Sequence, residues 1–323
     1  MALRNLSMPL ALLLLAALGA WSLFVGVSSV TPLGLLAADE RQQMLFFVSR
    51  VPRLVAILTA GAGMSVVGLI MQQLARNKFV SPGTSGTAEA AMLGVLTTML
   101  LVPGWPILGK MAIAFVFALT GAFVFMAILQ RAKFKDVIYV PLVGIMFGGI
   151  ISSATGFIAY RYNALQALGA YMYGGFNDVL RGRYELLYLS VPIFILAYLF
   201  ADRFTLAGMG HDFATNLGLN YYQVVNIGLS LVALTTAVVV LTVGSIPFLG
   251  LIVPNVVSIV FGDNLRRTLP WTAVAGALFV LVCDVIGRVI VFPYEIPISL
   301  IIGVIGSITF LWLVLRRGVY AKA

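Results

Sequence analysis

The chain has 323 residues, of which 61% are hydrophobic and 10% charged, and its 20 Lys and Arg against 11 Asp and Glu give a formal net charge of +9. Soluble domains are about 45–50% apolar and about 25% charged, so a water-soluble enzyme or nucleic-acid-binding domain of this composition has no polar surface to wear, and the chain is an integral membrane protein. The single Cys283 excludes an internal disulfide and a cysteine zinc site, and the single His211 excludes His-rich metal ligation.

At about 20 residues per spanning helix there is room for about ten helices and none for a soluble catalytic domain, so one transmembrane domain over 1–323 is expected. The apolar runs are continuous and rich in Leu, Ala, Val and Ile, which marks helices and not alternating barrel strands. The first, 9–29, follows Arg4 and exceeds the roughly 7–15 apolar residues of a signal peptide, so it reads as an uncleaved helix. The second, 52–74, carries Gly61, Gly63, Ser65 and Gly68, small residues suited to close helix packing. The third, 86–102, is short and opens in Ser81-Pro82-Gly83-Thr84-Ser85-Gly86. Glu89 near its start either faces a cavity or caps freed backbone amides.

Gly104-Trp105-Pro106-Ile107-Leu108-Gly109-Lys110 imitates a phosphate loop, but Met111 stands where Ser or Thr is needed and no strand precedes it. No nucleotide site is expected there. The fourth run is 110–130, and the fifth, 137–159, holds Gly144 and Gly148 at GxxxG spacing. Before the sixth, 185–201, a loop crowds Tyr160, Tyr162, Tyr171, Tyr173, Phe176, Tyr184 and Tyr188, which read either as an interfacial belt or as stacking partners for an aromatic ligand. The polar stretch 207–223 reads as the longest inner loop, with a short surface helix started by Asp212 and ended at Gly218. After the seventh run, 223–243, the eighth, 249–262, opens in Gly244-Ser245-Ile246-Pro247-Phe248-Leu249-Gly250 and contains Pro254. The ninth, 270–291, places Asp284 four residues before Arg288, the spacing of a helical ion pair. The tenth is 298–315.

With the N-terminus inside, twelve basic residues face inward, namely Arg4, Arg76, Lys78, Arg131, Lys133, Lys135, Arg203, Arg266, Arg267, Arg316, Arg317 and Lys322. Eight face outward: Arg41, Arg50, Arg53, Lys110, Arg161, Arg181, Arg183 and Arg288. The bias favours both termini inside, and the outward excess asks for a reason such as an acidic partner on that face. Spans three and eight are both short, interrupted by Gly and Pro, and preceded by long regular spans that run in opposite directions. A repeat relating spans 2–5 to 7–10 is therefore inverted, and paired broken helices in inverted halves are a transporter signature. Two ordinary Pro-kinked helices are the plainer alternative.

Several segments together resemble the FecCD family, the permeases of ABC importers for iron-siderophores and cobalamin. They are Arg50-Val51-Pro52-Arg53; Gln72 through Asn77 with Pro82-Gly83; Ala214-x-x-Leu217-Gly218; Gly250-Leu251-Ile252-Val253-Pro254; Leu269-Pro270; Asp284-x-x-x-Arg288; Glu295-Ile296-Pro297-Ile298; and Phe310-Leu311-Trp312. The resemblance implies ten helices per subunit, a second permease subunit, two cytoplasmic ATPases that carry the ATP and Mg, and a substrate-binding protein, free or lipid-anchored, docked outside. It implies that Arg50, Arg53 and Arg288 meet acidic residues of that binding protein. It also makes His211, Asp212, Ala214, Leu217, Gly218 and Leu219 the coupling helix against the ATPase, and Asn77 and Phe79 an inner gate. The chain departs from the family pattern with Asn77-Lys78-Phe79 where Asn-Pro-Leu is usual, and with Pro254-Asn255 where Pro-His is usual. The Pro-Asn form, followed by Phe261-Gly262-Asp263-Asn264, is similar to the subgroup that imports catecholate siderophores.

The expectation is thus an all-α polytopic permease of the bacterial inner membrane. It moves a ferric siderophore along a pathway lined by spans two, three, five, seven and eight, with Glu89, Pro254 and Asn255 in pathway or structural roles. No covalent chemistry, cofactor or metal site belongs to the chain. The competing expectation is an ion-coupled secondary transporter of a small organic solute, which would need Glu89 or Asp284 for a proton or sodium ion.

Overall fold

The computed structural model describes residues 7–27, 30–37, 39–132, 139–182 and 184–320, with side chains except at 132, 312–314 and 316–320. Arg4, Lys133, Lys135, Arg183 and Lys322 lie outside the described residues, as do the side chains of Trp312, Arg316 and Arg317. The elements in chain order are α1 (Met8–Ser22), α2 (Pro32–Leu36), α3 (Glu40–Leu45), α4 (Val51–Leu74), α5 (Thr87–Leu101), α6 (Ile107–Ala132), α7 (Tyr139–Arg161), α8 (Leu165–Met172), α9 (Ser190–Leu199), α10 (Ala201–Gly208), α11 (His211–Asn216), α12 (Tyr221–Thr242), α13 (Leu249–Phe261), α14 (Leu265–Val289) and α15 (Ile298–Tyr320). Five helices are long and apolar enough to cross a membrane, or six if the bent pair of Tyr184–Leu199 and Ala201–Gly208 is one span, and four shorter apolar helices accompany them among the described residues. Each falls on one of the runs expected from the sequence.

Several boundaries differ. The first span was expected to reach 29, but α1 ends at Ser22. Its freed carbonyls are taken by arginines from elsewhere: Arg288 Nη1 donates to Ser22 O at 2.9 Å and Val25 O at 2.8 Å, and Arg50 Nη1 also donates to Val25 O. The second span begins early, because α3 runs through a π-turn at Phe46–Arg50 into α4. Asp39 caps α3 by accepting from the Arg41 and Gln42 amides, and the Gln42 side-chain amide helps hold its carboxyl below the usual range. The sixth run ends in a bend of 62° at Phe200, beyond which the chain continues as α10, a separate amphipathic helix. The outer loop before it contains α8, which no apolar run announced.

The two halves interlock. Helix α4 of the first half packs against α13 and α14 of the second, and α12 of the second packs against α5 and α6 of the first, while α4 and α12 touch each other at the centre. Helices α4 and α12 are consequently the most buried of the long spans, and α7 the least. The same exchange on both sides is the packing expected of a repeat of spans 2–5 and 7–10. Local geometry repeats as well: α5 is preceded by Gly86 at φ 77°, ψ 1°, and α13 by Phe248 at φ 60°, ψ −14°. Both short helices therefore start from a left-handed residue, a conformation that costs about 1–2 kcal/mol without glycine.

Small residues set the close approaches. A Cβ on Gly68 would lie 2.0 Å from the carbonyl oxygen of Gly250 in α13, and one on Gly61 would lie 2.8 Å from Gly276 O in α14. In α7, Gly144 leaves room for Thr84 O and Gly148 for Gly86, so the GxxxG pair packs on the lead-in to α5. Pro254 adds a reason for the Gly68 contact: lacking an N–H, it leaves Gly250 O without its helical donor. That carbonyl is the atom Gly68 approaches, where a Cα–H can sit against it.

Candidate functional site

Outer and inner ends are named here by the orientation expected from the basic residues. Functional side chains gather in three places: the inner segment 76–79 against α13, the surface helix α11, and an ion cluster at the outer end.

At the inner end the chain leaves α4 through Arg76, which is left-handed at φ 51°. Asn77 is buried, and its Oδ1 accepts the Phe79 amide at 2.8 Å, closing a local turn. The Phe79 ring meets Phe310 of α15 edge to face with centroids 5.8 Å apart. Asn255, also buried, donates from Nδ2 to Lys78 O and to Leu251 O, each at 2.7 Å. Lys78 Nζ donates to Ser258 Oγ at 2.7 Å and to Asp263 Oδ1. Asn77, Phe79 and Asn255, expected from the sequence in separate roles, thus form one contact region, with Pro254 next to Asn255 in α13. Lys78, Ser258 and Asp263 were missed as site residues. The available signal was a lone lysine and a lone aspartate at the same membrane face of a chain poor in charge.

Helix α11 begins at His211 with Gly210 at the N-cap, two residues before the Asp212 expected to start it. Its end is as expected at Gly218, which sits at φ 78°. Leu219 N–H donates to Ala214 O at 3.0 Å and Gly218 N–H to Thr215 O at 2.9 Å, the paired bonds of a Schellman closure. Ala214 is the buried residue that seats the helix, whereas Phe213 and Leu217 point outward together with Met209 and Tyr222. Asp212 is exposed, and His211 Nδ1 lies 3.0 Å from its Oδ1. This is an apolar knob on an otherwise polar loop, and it touches the inner segment: the Arg76 guanidinium lies beside Gly210, and Gln73 beside Gly208.

At the outer end the expected Asp284–Arg288 pair is present, with Arg288 Nη2 2.6 Å from Asp284 Oδ2 at an angle too bent for a hydrogen bond. Arg53 joins from α4, donating from Nε at 3.2 Å and Nη2 at 2.8 Å to Asp284 Oδ1, and from Nη1 to Glu295 Oε2 at 2.8 Å. Arg53, Asp284 and Arg288 are buried. Two outward basic residues therefore find carboxylates inside the chain. Arg50 is half-buried, and exposed Arg181 lies near it in the fold, since Arg181 N–H donates to Val48 O at 3.1 Å. Nearby, a cavity of about 640 Å³ is lined by Trp105, Lys110, Tyr171, Tyr173, Asn177 and neighbours. Its wall is tied to the lead-in of α13 by Ser245 N–H to Tyr171 O at 2.9 Å and Gly175 N–H to Val243 O at 2.8 Å. Tyr160, Tyr162 and Tyr188 lie outside this lining and are exposed, as are Trp105 and Tyr173 within it.

Glu89 lies in the first turn of α5 against Gly148 of α7, and its Oε2 is buried without a hydrogen-bond partner among the described residues. Of the helices expected to line a pathway, α4 and α12 are largely enclosed by their neighbours. Helix α7 presents the broadest free face, through Leu142, Ile145, Met146, Ile150 and Phe157.

A family model described as the FecCD transport family matches residues 13–316. The chain is 55% identical, over 96% of its length and 98% of the relative's, to the petrobactin import system permease protein YclN of Bacillus subtilis. It is 40% identical, over 92% and 95%, to the ferric-anguibactin transport system permease protein FatD of Vibrio anguillarum. A solved structure described as a metal-chelate type ABC transporter in an inward-facing conformation is similar with a TM-score of 0.79 at 24% identity, covering 95% of this chain and 97% of that one, a likeness of fold.

Proposed function

Because the chain belongs to the FecCD transport family, we propose that it is the permease subunit of an ATP-driven importer that carries a ferric siderophore across the inner membrane. The observation that carries this reading is the near full-length identity to a petrobactin permease. The presence of Trp105, Tyr171 and Tyr173 in the lining of the outer cavity supports an aromatic, catechol-bearing chelate, with Lys110 balanced there by Asp178. The subunit pairs with a second permease copy or a related chain. It works with two cytoplasmic ATPases, which hold the ATP and Mg, and receives substrate from a binding protein outside.

In this reading α11 is the coupling helix. Phe213 and Leu217 enter a groove of the ATPase, as an amphipathic helix enters a partner. Replacing Leu217 by Asp is expected to lose co-purification of the ATPase with the permease while leaving the permease folded, because Leu217 is exposed and the Schellman closure uses only backbone. Retained ATPase would remove α11 from that contact. Docking of the binding protein falls to the outer basic face, where Arg50 with Arg181 offers charge to acidic residues, and buried Arg53 and Arg288 fix that face in position.

The test is radio-iron uptake in cells expressing the chain with its neighbouring transporter subunits, offering catecholate and hydroxamate chelates. An active and a hydrolysis-dead ATPase are compared, with Glu89→Gln alongside. Catecholate iron is expected to enter only with the active ATPase and to be indifferent to Glu89→Gln. Uptake that ignores the ATPase and fails with an ion gradient or with Glu89→Gln would replace this function by an ion-coupled one.

A further inference from the structure

Residue 78 is held twice by the same partner helix. Its carbonyl accepts from Asn255 at 2.7 Å, and its ammonium reaches Ser258 at 2.7 Å and Asp263 just beyond the end of α13. These contacts join positions about 180 residues apart. They tie the connection between α4 and α5 to the second broken helix, at the end of the molecule that carries α11. A polar cavity of about 300 Å³ adjoins the tie: Lys78, Ser258 and Asp263 line it together with Gln73, Arg76 and Gly208, so the segment borders open space. Gln73 and Arg76 touch the residues on either side of the turn into α11, so a displacement of α11 bears on the residues leading to Lys78.

We propose that Lys78 is the positioning residue of the inner segment 77–79, and that its bridge to Asp263 and Ser258 closes the inner end and parts each time substrate leaves. The inference rests on the transport reading above. Exposure argues for a bridge that opens and re-forms. The Lys78 and Asp263 side chains are 30% and 65% exposed, so water competes for both charges and separation costs little. The outer cluster is the opposite case, a buried set of charges that cannot part cheaply. The aromatic pair Phe79–Phe310 travels with the segment, since Phe79 is held in the same turn by Asn77.

The experiment uses the assembled transporter in membranes, with Cys283→Ala as background because Cys283 is the only cysteine. Lys78→Cys and Asp263→Cys are combined and joined with a cleavable bifunctional thiol reagent. Each variant is compared with its own untreated rate, which is lowered because Lys78→Cys and Asp263→Cys each break the bridge. The uptake that remains is expected to stop on joining and to return on cleavage, whereas either single cysteine treated alike holds its own rate. Import by the joined transporter at the unjoined rate would overturn the proposal. Charge reversal gives a second, independent reading. Lys78→Glu and Asp263→Lys are each expected to lower uptake about tenfold, with the double reversal and Lys78→Arg recovering most of it. A double variant as poor as the worse single would also overturn it. ATP-dependent uptake by the unmodified transporter in the same membranes is the control; its absence would count against the transport function and not against the bridge.

Discussion

Asp284→Asn is expected to unfold the outer end of the protein. The change is nearly isosteric, so any loss is electrostatic. It leaves the guanidinium groups of Arg53 and Arg288, both buried, facing an amide in place of the carboxylate that each approaches within 2.8 Å. Breaking a buried ion cluster by removing one partner costs about 3–5 kcal/mol, because the charge left behind has no water to return to. The damage spreads, since Arg288 also holds the carbonyls of Ser22 and Val25 and so fixes the end of α1. Thermal unfolding of detergent-purified permease is the measurement. Glu295→Gln is the internal comparison: its side chain is 19% exposed and makes one contact with Arg53, so it is expected to cost about 1 kcal/mol. An Asp284→Asn protein as stable as the parent would show that the arginines are neutralised by something other than this carboxylate.

Gly68→Ala is expected to be nearly as damaging, through sterics alone. The added methyl would stand 2.0 Å from Gly250 O and 2.4 Å from Gly250 Cα, which are backbone atoms of α13 and cannot turn aside like a side chain. Either α4 and α13 separate, at a cost of about 3 kcal/mol by analogy with overpacked cores, or the short helix shifts as a body and drags Asn255 and Ser258 away from Lys78. Both routes lower folded yield and uptake together. Gly104→Ala is the control, because nothing lies within 4 Å of a Cβ there. Normal yield and transport by Gly68→Ala would mean that the two helices are not in contact at these residues.

The spans were legible because membrane burial writes itself as runs of apolar residues, and all ten runs coincide with helices. The ends were less legible, for identifiable reasons. Helix α1 stops where Arg288 and Arg50 claim its carbonyls, an event decided by residues far along the chain. Helix α10 is eight residues with Asp202 and Arg203 on its surface, so by composition it passes for a loop. The site divides in the same way. Asp284 and Arg288 sit at i,i+4 and could be paired on sight, whereas Arg53 reaches Asp284 across 231 residues and Lys78 reaches Asp263 across 185. A periodic pattern reports which face of a helix is buried, and it carries no record of which distant charge will arrive there.

The exchange of α4 and α12 between the halves bears on how the chain can be made. When only the first half has left the ribosome, Gly61, Ser65 and Gly68 lie along one face of α4 with no α13 or α14 to cover them. A stripe of small residues facing lipid forfeits the dispersion contacts that α13 and α14 later supply. Helix α5 likewise waits for α12. Neither half has a finished interior, so biosynthesis has no stopping point midway. A chain truncated between α9 and α12 would reach the membrane as an incomplete bundle, a substrate for membrane proteases rather than half a working channel.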